Sequence, residues 1–219
     1  MTPAPLLSAF RQALAEAWSG GAGMLLPIGF FAGTTVLVPF SLGSDSQILS
    51  GLGPGLLWLA LALASFVSLE RIFQADLQDG ALDLWLQEEA SISMIATVKT
   101  LAHWLISGLP LVIITPLLAV MLQVPVEQTL PAMIAYGLGG LTFFLWGGVA
   151  AALAASIVRG GLLIALIALP FYLPALIFGS LSLGQSYSDP SFLFLSAATL
   201  FTLGIAPPAM GAALRLAAE

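Results

Sequence analysis

The sequence predicts an all-α integral membrane protein with six transmembrane helices, an N-terminal interfacial helix and a short cytoplasmic helical stretch between spans two and three. Three observations predict it. Charged residues are 7% of the chain, against about 25% in soluble globular proteins. Six apolar stretches each approach the roughly 20 residues that a bilayer requires. All five basic residues sort to one side of those stretches. Spans and short connections use up the length, so the chain reads as one transmembrane domain over 1–219, with no room for a soluble catalytic domain.

In chain order, Leu7, Phe10, Leu14 and Trp18 share one helical face, with Ser8, Arg11, Gln12 and Glu16 elsewhere. This predicts a helix over 6–20 lying along the membrane surface. Pro3, Pro5, Arg11 and Glu16 stand where the apolar region of a cleavable signal would lie, so none is expected. The spans are expected at 24–42, 53–73, 95–122, 130–158, 162–183 and 192–214. Pro110 and Pro116 interrupt the third, Pro170 and Pro174 the fifth, and Pro207-Pro208 the sixth. Each removes a backbone hydrogen bond that neighbours must replace. Gly137, Gly139-Gly140 and Gly147-Gly148 let the fourth span approach other helices closely.

Arg11, Arg71, Lys99, Arg159 and Arg215 lie at one set of ends, whereas the opposite loops hold Asp45, Glu127 and Asp189 without Lys or Arg. The positive-inside rule then places both termini in the cytoplasm. Between spans two and three, 74–90 concentrates charge in an otherwise oily chain. Phe66, Leu69, Phe73 and Leu77 recur at helical spacing, as if span two ran on past the interface. Asp76, Asp79 and Asp83 lie off that stripe, and Asp79-Gly80 signals a turn. Beyond it, Ala81, Leu82, Trp85 and Leu86 form a brief apolar face beside Asp83, Glu88 and Glu89. Acids prevail over bases, so a protein partner is expected on that face rather than anionic lipid; the alternative is a solvated connector.

Chemistry is sparse. The single lysine, Lys99, follows no glycine loop, which excludes a phosphate-loop ATPase. Without cysteine there is no thiolate chemistry, disulfide or thioether haem attachment. His103, the sole histidine, lies near the cytoplasmic end of span three and is a possible intramembrane functional residue, or a hydrogen-bonded packing residue. Ser107 shares its face, but a hydrolase pair would lack an orienting third group. No constellation of acids, bases or metal ligands lies deep in the spans, so no catalytic, cofactor-binding or metal site is expected in this chain, and the net charge points to no nucleic-acid partner. Energy is expected to come from outside the chain, through the stretch between spans two and three.

Glu70-Arg71, Asp76-Leu77-Gln78-Asp79-Gly80 with Leu82, Ala102-His103-Trp104, Gly108-Leu109-Pro110-Leu111 and Pro116-Leu117 resemble the CcmB family, the membrane subunit of the cytochrome c maturation ABC transporter, or haem exporter protein B. Arg159-Gly160-Gly161, Leu169-Pro170, Pro174, Ile177-Phe178-Gly179 and Ala212-Ala213-Leu214-Arg215 extend the likeness almost end to end. The resemblance implies a permease subunit in the bacterial inner membrane, in two copies, paired with a separate cytoplasmic ATPase subunit that binds ATP and Mg. It also implies a haem-handling membrane subunit and a periplasmic haem chaperone as partners, with haem held by them. The activity implied is haem export, or release of the haem-loaded chaperone driven by the partner's ATP hydrolysis; a non-transporting scaffold for maturation factors is the alternative. In that scheme Glu70, Arg71, Asp76, Asp79, Gly80, Leu82, Asp83 and Trp85 form the coupling element that meets the ATPase.

Overall fold

The computed structural model describes residues 4–19, 22–43, 46–70, 72–87, 91–124, 129–157, 160–183 and 189–218. Every regular element is helical: α1 (Ala4–Ser19), α2 (Ala22–Leu42), α3 (Ser46–Leu69), α4 (Gln74–Gln78), α5 (Ala81–Gln87), α6 (Ile92–His103), a π-helical turn (Trp104–Gly108), α7 (Leu109–Met121), α8 (Thr129–Leu153), α9 (Gly161–Ser182) and α10 (Pro190–Ala217). Six helices are long and apolar enough to cross a membrane: α2, α3, the α6–α7 unit, α8, α9 and α10. The chain is therefore an all-α, multi-pass membrane protein.

The bundle is built around α8, which packs most extensively on α10 and α9 and also touches α3, α6 and α7. Its glycines explain this centrality. A Cβ at Gly139 would overlap the Trp58 indole of α3, one at Gly147 would strike Leu69 and the Tyr172 hydroxyl, and one at Gly148 would come within 2.9 Å of Thr100 Oγ1. Gly179 of α9 meets the other part of the same indole, so Trp58 is wedged between two helix backbones. It stacks on Tyr136 at 5.0 Å and meets Phe143 edge-on at 6.0 Å, both favoured ring geometries. Gly137, by contrast, faces open space and brings nothing close. Some buried hydroxyls are satisfied across helices: Tyr172 donates to the Phe143 carbonyl at 2.6 Å and lies 3.0 Å from Ser65 Oγ, and Thr142 donates to Thr199 at 3.0 Å. On α9 the buried line Ile164, Ala168, Tyr172, Ala175, Gly179 opposes an exposed line Leu162, Leu166, Leu173, Ile177, Leu181. Large apolar side chains left outward on a span are suited to lipid.

Prolines shape the helices less than the sequence suggests. Helices α2, α3, α7, α9 and α10 run through Pro27, Pro39, Pro54, Pro116, Pro170, Pro174 and Pro207-Pro208. Only Pro110 coincides with a change of helix type. Its ring would crowd the carbonyl four residues back, and the preceding turn widens so that the Leu109 amide bonds to Trp104, five residues earlier.

Several boundaries differ from expectation. Span two closes at Leu69 instead of running to Phe73 and beyond: the Ile72 amide bonds back to Leu69 at 3.2 Å, and the turn buries Ile72 and Phe73. Phe66, Leu69, Phe73 and Leu77 therefore do not form one continuous helical stripe. Span four ends at Leu153, followed by a turn in which Ala154 and Ala155 are buried; Val158 and Arg159 lie outside the described residues. Spans two and six begin earlier than expected, at Ser46 and Pro190. Asp189 caps the latter by accepting from the Ser191 amide at 2.8 Å.

Candidate functional site

The short helices between spans two and three form the candidate coupling site. Asp79 closes α4, and Gly80 takes φ +75°, the left-handed conformation in which a side chain is strained. The turn separates α4 from α5, and the two short helices pack on each other. Leu82 is 1% exposed and Trp85 packs against the core, whereas Leu84 is 62% exposed. Leu82 is thus covered by the chain's own bundle and Trp85 half covered by it. Leu82 and Trp85, expected on a partner-facing surface, lie against the chain's own bundle, and Leu84 is a large apolar side chain that α5 leaves exposed.

Lys99 of α6 reaches into this turn. Its ammonium lies 2.6 Å from both carboxylate oxygens of Asp76 on α4 and 2.9 Å from Glu16 Oε2 on α1, and 5.6 Å above the Trp85 ring of α5. Lys99 is 7% exposed and Asp76 5%. Asp76, expected on an outer surface, is an interior counter-ion, because a buried lysine requires a carboxylate. Gln12 donates to Glu16 at 2.9 Å, one turn earlier on α1. Burial would by itself raise the Glu16 carboxyl pKa, but the hydrogen bond and charge of Lys99 outweigh it and hold the group below its ordinary value. A cavity of about 20 Å³ lies beside the ammonium, lined by Ala9, Ala13, Trp85 and Ile95 among others.

Other site expectations fall in different places. Glu70, exposed at the end of α3, lies against the α8–α9 corner, where a Cβ on Gly161 would come within 2.9 Å of its carboxylate oxygen. Nearby, the Gln74 amide donates to the Ile157 carbonyl at 3.4 Å. Asp79 is exposed at the turn. Arg71, the Asp83 side chain, Glu88 and Glu89 lie outside the described residues. His103 Nε2 is 2.7 Å from the Ser68 carbonyl, which ties α6 to α3 as a packing contact. Ser107 is buried within the π-helical turn. Among the described residues no cluster of three or more metal-ligating side chains occurs.

The sequence places Lys99 among the basic residues that orient the spans and rules out a phosphate loop around it, but does not mark Lys99 or Glu16 as parts of a site. Its available signal was chemical: the sole lysine sits just inside an apolar span, where an unpaired ammonium is costly. Which acids neutralise it could not be read locally, since Glu16 and Asp76 lie 83 and 23 residues away.

The large apolar residues of α1 are left wholly or partly outward. Ala13 is buried toward α6, whereas Leu7 and Trp18 are exposed and Phe10 and Leu14 half-buried. Small residues dock the helix, and its bulky stripe faces outward.

Comparison with known proteins covers nearly the whole chain. The family model described as CcmB protein matches residues 5–217. A heme exporter protein B from Pseudomonas aeruginosa is 40% identical over 194 residues, 87% of each chain. One from Bradyrhizobium diazoefficiens is 39% identical over 217 residues, 96% of this chain and 97% of its own. The Escherichia coli protein of the same name is 33% identical over 214 residues, again 96% and 97%. With the family's pattern running from α1 to the end of α10, the chain belongs to the CcmB protein family.

Proposed function

We propose that this chain is the membrane-spanning permease subunit of an ABC transporter in c-type cytochrome biogenesis. It couples a partner's ATP hydrolysis to haem export or to release of a haem-loaded periplasmic chaperone. Family membership and the name of its relatives support the transport role, and the positive-inside distribution supports an inner-membrane protein with both termini in the cytoplasm. ATP hydrolysis resides in a separate subunit; two copies of this chain work with it, beside a haem-handling membrane subunit. Helix α1 is the interfacial helix, with Leu7 and Trp18 toward the headgroup layer.

The observation that carries the coupling assignment is the turn from Glu70 to Gln87. Its inner face is fastened to the bundle by Leu82, Trp85 and the Asp76–Lys99 pair, while Glu70, Asp79 and Leu84 remain outward. A push on such an element is delivered to α6 instead of being lost in a loose loop. Moving a two-state bundle from 1:99 to 99:1 needs about 5.5 kcal/mol of bias, so the contact must be firm on both sides.

Co-expression with the partner ATPase and purification in detergent tests this. Leu84→Asp is expected to abolish co-elution and stimulated ATP hydrolysis while the chain stays inserted and helical. Equal co-elution of Leu84→Asp and wild type would overturn the assignment. Cytochrome maturation supported by an ATPase-dead partner would make the chain a scaffold instead.

A further inference from the structure

We propose that Lys99 is a positioning residue that joins the coupling turn to the amino-terminal helix, so that α1 is displaced together with α4 and α5 during the ATPase cycle. The inference rests on the coupling reading above and extends it to a second moving part. One ammonium meets side chains of three other helices: Asp76 of α4, Glu16 of α1 and the Trp85 ring of α5. A lysine has three donors and no acceptor, and here they serve two carboxylates on opposite sides. Among the described residues neither α4 nor α5 has an extensive backbone interface with α1. The bridge through Lys99 is therefore a direct polar route between them.

Geometry also leaves the joint room to work. Ala9 and Ala13 of α1 line a recess of about 20 Å³ together with Trp85 and Ile95, a space of the size that holds one water. Glu16 is exposed on its outer side, whereas Asp76 is enclosed. A shift of α4 that carries the ammonium along with Asp76 draws Glu16, and with it α1, in the same direction. The enclosed half of the bridge thus belongs to the coupling turn and the solvent-facing half to α1.

Two variants in the assembled complex test this, and the absence of native cysteine makes the second clean. Glu16→Gln keeps a side chain of similar size but removes the charge. It is expected to retain the ATPase and its hydrolysis, yet lower c-type cytochrome yield about tenfold, the fold-change equivalent to one charge-assisted hydrogen bond. Ala13→Cys with Ile95→Cys, bridged by a short thiol-reactive cross-linker, pins α1 to α6. Cytochrome yield should fall when a reducible linker is in place and recover on its cleavage, with co-elution unchanged throughout. A structural role alone would lower expression, co-elution and hydrolysis together in Glu16→Gln, and that outcome overturns the proposal. Full activity of the cross-linked complex overturns it as well. Loss of wild-type co-elution would instead refute the coupling reading itself.

Discussion

Replacing Lys99 by Met removes the cation that pairs with Asp76 and keeps an unbranched side chain of comparable length. Both carboxylate oxygens of Asp76 lie 2.6 Å from the ammonium, and the residue is 5% exposed, so the variant strands a buried charge. Breaking a buried pair in this way costs about 3–5 kcal/mol. Asp76→Asn strands much less, because Lys99 keeps Glu16 at 2.9 Å and Glu16 opens to solvent; about 1–3 kcal/mol is expected, the scale of a charged hydrogen bond and its desolvation. The double variant has neither buried charge, so it should be more stable than Lys99→Met alone. Unfolding of the purified protein in mixed micelles, followed by helicity, measures all four corners of the cycle. The reasoning fails if Lys99→Met matches wild type, or if the two single losses simply add, since residues in direct contact should couple by at least about 0.5 kcal/mol.

Three further outcomes are expected. Gly80→Ala should destabilise the turn by about 1–2 kcal/mol, because φ +75° is strained for an L-residue even where a Cβ has open space; Gly80→Asn should cost less, and thermal unfolding of the two variants checks the order. Gly139→Ala should cost about 1–3 kcal/mol by forcing the Trp58 ring aside, and Trp58→Leu in the same chain should relieve part of the strain, again read by unfolding. As for pH, the folded Glu16 carboxyl is held below its ordinary 4.5, so its contribution is present above the unfolded value and is lost as pH falls through the lower folded value. Exposure of α1, followed by Trp18 fluorescence, should therefore begin only below about pH 4.5, and Glu16→Gln should lose that step.

The spans were legible because membrane insertion demands long apolar runs whatever the tertiary arrangement, and the six runs survive as six crossing helices. The two-part stretch after span two was legible in outline, since Asp79-Gly80 is local turn chemistry and the structure turns there. Its inward and outward faces were not. Periodicity identifies the apolar side of α5 but cannot say whether lipid, a partner or the same chain covers it; that depends on α6 standing nearby with Ile95 and Lys99. Likewise Asp76 reads as one acid among six between 70 and 89 until a lysine 23 residues later neutralises it. Trp58 is one of five tryptophans in the sequence, and only the pairing of Gly139 with Gly179 makes it the wedge of the bundle. Backbone closure at Leu69 was hidden for a similar reason: Ile72 and Phe73 fit a continuing helix as well as they fit a buried turn.

The wide turn at Trp104–Gly108 divides span three into two helices whose angular phases are set independently. Residues before it, with Lys99 and His103, are phased to the coupling turn and to α3; residues after it, with Leu111 and Thr115, are phased to the interior. Rewinding that turn to a uniform α-helix with every residue kept would rotate one half by about 100° relative to the other, and no single orientation would then satisfy both sets of neighbours. Span three is accordingly a shaft with a built-in phase offset between its Lys99 end and α7.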